Sequence, residues 1–297
     1  MSASYRMDRT ALITGASTGI GFELSQLFAR DHFNLVLVAR DKLKLTRLAD
    51  DLICRYGISV TVIEKDLSDP AAPVEIYEEL QKHSLSIDIL VNNAGTGVYG
   101  LFAESDLDEQ LRALRLNIMA LTSLTHLFLP GIKSRKGKIL NVASTAAFQP
   151  GPLMGCYFAS KAYVLSFSEA MANEVRNSGV TVTALCPGPT RTHFQTRTGT
   201  QNIRESVVMM EASLVARIGY RGLMEGKTVV VPGLVNKILV CLVRFFPRDL
   251  VTRAARFFEE RVPEKDLTAP SWEGGCRLQR CGLNKRLYPE VVISTLA

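Results

Sequence analysis

Short apolar runs alternate with longer amphipathic stretches through the first 190 residues of the chain. The apolar runs are rich in β-branched residues and lack polar alternation, which is the pattern of strands buried on both faces. The stretches between them have the length and apolar periodicity of helices. We therefore predict an α/β fold in three layers, a doubly wound parallel sheet covered by helices on both faces. The predicted strands are 10–14, 34–39, 59–63, 88–91, 138–143, 180–186 and 227–231, and two clear helices are 41–56 and 70–83.

The pattern changes twice after the last predicted strand. Residues 1–233 form the predicted α/β domain, with a long insertion at 189–226 before that strand. Residues 234–262 are predicted to be an amphipathic helical extension packed on or next to the domain and broken at Pro247. Residues 263–297 contain repeated proline and glycine, which predicts an irregular tail.

The helical extension carries a wide apolar face and a narrow basic stripe. Lys237, Arg244 and Arg248 lie on one side, and Leu, Val, Ile and Phe fill most of the rest. An apolar face this wide has to be covered. Two interpretations stay open. The face packs against protein, over a pocket or in a subunit interface, or it lies at a bilayer boundary with its basic side chains at anionic headgroups.

Composition narrows the function classes only slightly. The net charge of +6 includes no long Lys/Arg run, which argues against a nucleic-acid partner. No uncharged apolar stretch is long enough to span a membrane, and the N-terminus lacks a secretory signal, so we expect a cytoplasmic protein with at most peripheral membrane association. Cys54, Cys156 and Cys186 lie in apolar runs and are expected to be buried thiols of a reducing compartment. The other cysteines and the histidines are too scattered for a metal site.

A glycine-rich turn, TGASTGIG, joins the first strand to the first helix. Glycine allows positive φ and lets the backbone approach a phosphate, and a helix N-terminus offers unpaired N–H groups. The turn therefore predicts a dinucleotide pyrophosphate site, with a plain strand-to-helix connection as the alternative. Its predicted contact residues are Gly15, Ser17, Thr18, Gly19, Ile20 and Gly21.

Tyr157 and Lys161 are four residues apart in a stretch that is predicted to be helical, so they share a helix face. A free tyrosine has a pKa of about 10 and is a poor base at neutral pH. A neighbouring ammonium stabilises the phenolate and lowers that pKa, which would prepare a general acid and base. Taken alone, the pair could also be an exposed helix pair without a function.

Further motifs follow in a fixed order at the ends of the predicted strands. With the glycine turn they resemble the short-chain dehydrogenase/reductase family, over about residues 9–192. The resemblance implies a Rossmann-like fold, a nicotinamide dinucleotide and the interconversion of a carbonyl and a secondary alcohol. The matching residues are Asp66, the NNAG motif of Asn92, Asn93, Ala94 and Gly95, Asn117, Ser144, the Tyr157–Lys161 pair, Pro187, Gly188 and Thr190.

The same resemblance implies a role for each residue. Tyr157 would exchange a proton with the substrate oxygen, Ser144 would hydrogen-bond that oxygen, and Asn117 would hold a water that relays the proton. Lys161 would also bind the nicotinamide ribose. The implied cofactor contacts beyond the turn and the Tyr157–Lys161 pair are Asp66 at the adenine ring with Leu67, the loop Asn93, Ala94 and Gly95, and Pro187, Gly188 and Thr190, the last near the nicotinamide carboxamide.

The end of the second strand, VLVAR, predicts a preference for NADP(H). Family members that use NAD typically carry an aspartate where this chain has Ala39, and that aspartate repels a 2′-phosphate. Arg40 follows, and a guanidinium can bind the phosphate in a fork. Asp41 is the next residue and is expected to cap the following helix.

The substrate is expected to be hydrophobic, an acyl chain or a steroid-like ketone or aldehyde. Two other functions stay open, an NAD(P)-dependent epimerase or dehydratase and a non-catalytic regulator that senses dinucleotides. The resemblance also implies a homo-oligomer, a dimer or a tetramer. The predicted apolar lining of the pocket is Val98, Leu101, Phe102, Phe148, Leu153, Met154, Phe194, Met209 and Met210.

Overall fold

A computed structural model describes residues 9–198 and 209–260. Its centre is a parallel sheet of seven strands in the order β3-β2-β1-β4-β5-β6-β9. The strands are β1 (Thr10–Thr14), β2 (Asn34–Ala39), β3 (Val60–Glu64), β4 (Ile89–Asn92), β5 (Lys138–Val142), β6 (Thr181–Leu185) and β9 (Val229–Val230). A separate parallel pair is formed by β7 (Thr190–Arg191) and β8 (Met210–Glu211).

Helices cover both faces of the sheet, which confirms the predicted three-layer α/β fold. In chain order they are α1 (Gly19–Arg30), α2 (Lys42–Tyr56), α3 (Ala72–Lys82), α4 (Leu107–Leu114), α5 (Leu121–Ser134), α6 (Gly155–Glu174), α7 (Phe194–Thr198), α8 (Ala212–Met224), α9 (Leu234–Leu242) and α10 (Arg248–Glu259). A π-helical turn, Arg115–Ala120, joins α4 to α5, and short 3₁₀ turns occupy Phe102–Glu104, Thr145–Phe148 and Val243–Phe245.

The alternation of side chains along each strand divides the apolar core in two. On β1, Ala11 and Ile13 face a cluster built with α1, α2 and α8, while Leu12 faces a cluster built with α3 and α5. Both faces are buried, which explains why the strands are apolar throughout. Strand order reverses direction between β1 and β4, and in such sheets ligands bind at the carboxyl ends of the strands near that reversal.

The structure corrects two local expectations and confirms a third. The strand predicted at 227–231 shortens to β9, because only Val229 and Val230 pair with β6. Cys54 was expected to be buried but lies exposed on the outer side of α2, and Cys156 is only half-buried. The predicted break at Pro247 is confirmed, since α10 begins directly after it. The predicted tail at 263–297 lies outside the described residues.

The two helices that follow β9 expose most of their apolar side chains. No residue of α9 is buried, and α10 buries only Val251 and Ala255. Among the described helices, none is both long and apolar enough to cross a bilayer.

Candidate active site

The glycine turn is closely packed against the loop that follows β4. Gly15 has a φ of 65°, and a β-carbon there would lie 2.8 Å from Asn93 Nδ2 and 2.9 Å from the Ala94 Cα. A side chain at this position would therefore both strain the backbone and fill the space over the turn. Glycine is required at residue 15 because the backbone of the turn closely approaches the loop after β4.

Thr14, at the end of β1, holds that loop in place. Its hydroxyl accepts hydrogen bonds from the backbone N–H groups of Asn93 at 2.9 Å and Ala94 at 3.1 Å, and it donates to the Val91 carbonyl at 3.2 Å. The Asn93 side-chain amide donates to the Thr14 carbonyl at 2.8 Å. The NNAG loop is thereby fixed over the switch point between β1 and β4, with its backbone facing the cavity described below.

Lys161 is buried on α6, one turn after Tyr157. Its Nζ donates a hydrogen bond to the Val142 carbonyl at 2.8 Å and lies 5.8 Å from the centre of the Tyr157 ring. Burial disfavours the charged ammonium and lowers the pKa of Lys161 to about 8. The site therefore holds a cation that is close to its own titration range and beside a phenol.

The Tyr157 ring lies in a narrow slot. A β-carbon on Gly97 would be 3.1 Å from Cδ2 of the ring, and the Phe194 ring is 5.3 Å away on a centroid-to-centroid measure. Phe158 packs edge-on at 6.0 Å. The absence of a side chain at residue 97 is what allows the ring to stay against the loop after β4.

Ser144 follows β5 and begins the 3₁₀ turn Thr145–Phe148. Its Oγ accepts from the Ala146 N–H at 3.1 Å, as an N-capping side chain does, and donates to the Pro187 carbonyl at 3.3 Å. Ser144 is half-buried and lines the same cavity as Tyr157. The hydroxyl thus has a defined position at the junction of the β5 and β6 ends.

Asn117 lies in the π-helical turn and is buried. Its amide accepts from the Thr96 N–H at 3.0 Å and donates to the Thr96 carbonyl at 2.8 Å and to Ser160 Oγ at 2.9 Å. Three of the four hydrogen-bonding positions of the amide are therefore used by protein, and one lone pair on Oδ1 remains. A π turn at this place is typical of functional positions in helices.

A second group of polar residues surrounds Asp66, just after β3. Oδ1 accepts from the backbone N–H and the hydroxyl of Ser68, at 3.0 and 2.7 Å, and Oδ2 accepts from Arg112 Nη2 at 2.6 Å. Burial raises the pKa of Asp66, but the hydrogen bonds from Ser68 and Arg112 outweigh it and lower that pKa below its ordinary value. Asp66 is therefore ionised and held from two sides.

One cavity of about 1860 Å³ connects these groups. Every predicted catalytic and cofactor-binding residue lines it except Gly21 and Asn117, which brace it from behind. Of the predicted apolar lining, Val98, Met154, Phe194 and Met210 line the cavity, whereas Leu101, Phe102, Phe148, Leu153 and Met209 do not. Leu101 and Phe102 are exposed, and Phe148 packs beside Leu121 and Val164 instead.

Comparison with known families then decides the identity. The sequence model of the family described as short chain dehydrogenase matches residues 9–203. The chain belongs to this family. The predicted resemblance is confirmed, and the chain shares its fold with a solved member of the family.

Curated relatives match the dehydrogenase over part of their length. It is 36% identical over 186 residues to 17-beta-hydroxysteroid dehydrogenase type 3 of Mus musculus, covering 61% of this chain and 60% of the mouse protein. It is 37% identical over 177 residues to a very-long-chain 3-oxoacyl-CoA reductase of Phaeosphaeria nodorum, covering 58% of this chain and 52% of the fungal one. The dehydrogenase thus spans only about half to three fifths of these relatives.

Solved structures match more completely. A short-chain dehydrogenase from Sphingobium yanoikuyae in complex with NADPH superposes with a TM-score of 0.72 at 33% identity, covering 80% of this chain and 96% of that one. L-sorbose reductase from Gluconobacter frateurii, complexed with NADPH and L-sorbose, gives 0.68 at 26% identity, covering 75% and 94%.

The dehydrogenase also contains site residues that sequence reasoning missed. Thr14 opens the glycine motif but was not named as a site residue, and Arg112 carries no motif that marks it, although it lies only five residues before Asn117. Asn236 of α9 packs against Gly188, where a β-carbon would lie 2.5 Å from its Nδ2. One wall of the cavity, called the far wall below, comes from the segment after residue 233. The apolar run in this segment predicted a face that must be covered, but the sequence did not say what covers it. That wall consists of the apolar residues Leu234, Val235, Leu239, Val240, Val243, Ala255 and Phe258, with Asn236 and Glu259 as its polar members.

Proposed function

We propose that this short-chain dehydrogenase is an NADP(H)-dependent oxidoreductase that interconverts a carbonyl and a secondary alcohol on an apolar substrate. The observation that carries the proposal is a single cavity lined by the glycine turn, by Arg40 and Asp66, and by Ser144, Tyr157 and Lys161. A dinucleotide fits these residues, because the N–H groups at the N-terminus of α1 can donate to a pyrophosphate and Asp66 can accept from an adenine amine.

In this proposal the bound cofactor supplies the hydride to the carbonyl carbon or accepts it from the alcohol. Tyr157 donates the proton to the carbonyl oxygen, and the buried Lys161 ammonium stabilises the phenolate that remains. The Ser144 hydroxyl turns from the Pro187 carbonyl, which it contacts at 3.3 Å, donates its hydrogen bond to the same oxygen and holds it in register. Asn117, through its remaining lone pair, accepts from a water that returns a proton to Tyr157.

The preference for NADP(H) rests on the end of β2. Ala39 presents no charge that would repel a 2′-phosphate, and Arg40 lines the cavity. The Asp41 carboxylate is engaged elsewhere, since it accepts from the Lys44 N–H at 3.0 Å as the N-cap of α2. Two of the solved structures compared above hold NADPH. Titration of both cofactors should give tighter NADPH binding that Arg40→Ala weakens.

An apolar substrate follows from the far wall of the cavity. The residues contributed by α9 and α10 are almost all aliphatic or aromatic. The relatives whose names state a steroid or a very-long-chain 3-oxoacyl-CoA act on compounds of the same character. Consumption of NADPH over a panel of acyl-chain and steroid ketones should identify the class, with small polar ketones as the comparison.

Tyr157→Phe tests the mechanism. The change removes one hydroxyl, so the ring contacts with Phe158 and Phe194 should survive. We expect turnover to fall by at least about 100-fold, the usual scale of general acid–base catalysis, with NADPH affinity nearly unchanged. Near wild-type turnover would remove Tyr157 from the proton-transfer role. Lys161→Ala should lose both turnover and cofactor affinity.

We also propose that the dehydrogenase binds anionic membranes peripherally through its α9–α10 face, next to the proposed catalytic domain of residues 1–233. Phe245 is 77% and Leu234 73% exposed, and Ile238, Leu239, Leu242 and Leu250 are exposed with them. No acidic residue occurs between Glu225 and Asp249, whereas four basic residues do. Lys227 pairs with Glu225, whereas Lys237, Arg244 and Arg248 have no ion pair among the described residues. Apolar side chains next to such basic residues suit the boundary of an anionic bilayer.

Flotation of the full-length protein with phosphatidylcholine vesicles, with and without phosphatidylglycerol, tests this surface. We expect recovery with anionic vesicles only, and loss of recovery in Phe245→Glu. Val74→Glu, an equal charge change at an exposed position of α3, is the control and should still float.

A homo-oligomer, a dimer or a tetramer, is also proposed from the family resemblance, and light scattering after gel filtration measures it. If the protein does not float and forms a dimer whose interface buries α9, the α9–α10 face packs against protein and not against a membrane.

A further inference from the structure

Two guanidinium groups converge on one carboxylate at the adenosine end of the cavity. Arg112, on α4, places Nη2 2.6 Å from Asp66 Oδ2, and its Nε donates to Ser68 Oγ at 3.1 Å. Arg40, after β2, has Nη1 at 3.8 Å from the same Asp66 oxygen. The first distance is a charge-assisted hydrogen bond, and the second is an ion pair without one.

Protein donors use three of the about four acceptor positions of the Asp66 carboxylate, and the fourth is the one proposed for an adenine amine. Ser68 gives two donors to Oδ1, and Arg112 occupies Oδ2. Among the described residues Arg40 makes no hydrogen bond, so its donors stay available at the cavity wall. If Arg112 were absent, Oδ2 would need a donor, and the nearest guanidinium is that of Arg40.

We infer that Arg112 is a specificity-determining residue that acts through its neighbours. By occupying Asp66 it keeps Arg40 unbonded, and Arg40 can then form a fork with the 2′-phosphate of the adenosine ribose. Arg112 is thus a positioning residue for cofactor choice. It lies on α4 and not at a strand end, where most of the family motifs occur. The inference rests on the proposed NADP(H) preference.

Dissociation constants of NADPH and NADH, measured by cofactor fluorescence with the full chain, test the inference without a substrate. In Arg112→Met, Arg40 should bond to Asp66, and NADPH affinity should fall about tenfold more than NADH affinity, as expected for one charge-assisted hydrogen bond. Arg55→Met is the matched control. It breaks an exposed Arg–Asp ion pair with Asp51 on α2, outside the cavity lining, and should leave both affinities unchanged.

Double variants distinguish an indirect role of Arg112 from direct binding of the phosphate and from a merely structural role. In an Arg40→Ala background, Arg112→Met should no longer change the NADPH-to-NADH ratio, and the same should hold in Asp66→Asn. A ratio that still falls in Arg40→Ala would mean that Arg112 binds the phosphate itself, and equal losses for both cofactors would mean a merely structural role. Either result overturns the inference. A wild-type protein without NADPH preference would instead overturn the proposed function.

Discussion

At the scale of single residues, the buried Lys161 sets function against stability. An ammonium that is only 5% exposed has lost most of its hydration, and one hydrogen bond to Val142 replaces it in the described structure. The folded protein therefore releases the proton of Lys161 at a lower pH than the unfolded chain does. A residue with this cost is kept for what it does in the cavity.

Lys161→Met should reveal that cost through its pH dependence. Burial lowers the pKa of Lys161 from 10.5 to about 8, so between these values the unfolded chain binds more protons than the folded one. The unfolding free energy of the wild type should therefore rise relative to Lys161→Met, by about 2 kcal/mol between about pH 7 and pH 9.5. Urea unfolding of both apoproteins at several pH values measures it, and parallel profiles would contradict it.

At this scale, sequence reasoning could indicate which motif side chains lie close together, while their proposed roles stay predictions. Tyr157 and Lys161 were predicted from their spacing, and the structure places both on one cavity wall. Arg112 could not be predicted in the same way, because it acts through a contact with Asp66, which is distant in sequence. Nothing in the local chain marks such a contact before the fold brings the partners together.

At the scale of elements, side-chain amides connect the sheet to its helices. Asn92 Nδ2 of β4 donates to Asn141 Oδ1 of β5 at 2.9 Å and lies 3.1 Å from Thr125 Oγ1 of α5. Asn141 Nδ2 in turn donates to Ser168 Oγ of α6 at 2.9 Å. Neighbouring strands and two helices are therefore linked by buried polar bonds immediately behind the site.

Asn141→Ala should destabilise the protein more than its lost volume suggests. The change leaves the Asn92 amide and the Ser168 hydroxyl with fewer partners in the core, which costs about 2–4 kcal/mol of unfolding free energy. Thr183→Val is the instructive comparison, because the Thr183 hydroxyl is buried without a hydrogen-bond partner among the described residues. That variant should be neutral or more stable by about 1 kcal/mol. Denaturant titrations should give opposite signs for the two.

The limits of the strands were easier to predict from sequence than the contacts that the helices make. β1 and β2 have the predicted limits because a strand buried on both faces must be apolar from end to end. The π turn at Arg115–Ala120 was not predicted, since one extra residue in a turn barely alters the hydrophobic period. For α9 and α10 the periodicity gave two helices and a break but could not say what their apolar faces touch.

At the scale of the whole molecule, the cavity combines two parts of the chain. The proposed cofactor side comes from the ends of β1 to β4, and much of the opposite wall comes from the helices after β9. Family motifs marked the first part well. The second part depends on where α9 and α10 pack in the tertiary structure, which the local sequence does not specify.

Val243→Asp tests this division between the two parts. Val243 lines the cavity, and a carboxylate there places a charge in an apolar wall. We expect the KM for an apolar ketone to rise at least about tenfold, while the NADPH dissociation constant stays within about twofold. Cys241→Asp adds the same charge at an exposed position of α9 that does not line the cavity, and it should change neither constant. A loss of NADPH affinity in Val243→Asp would contradict the division.

The far wall is also continuous in sequence, since it lies almost entirely on α9 and α10 after the last strand of the sheet. A recombination point at Gly233 would therefore exchange this wall as one cassette and leave every strand pairing untouched. The contact of Asn236 with Gly188 is the junction that both parents of such a chimera would have to share. If the proposed function holds, new substrates could be acquired by swapping this segment, without any change in the part of the chain that is proposed to choose the cofactor.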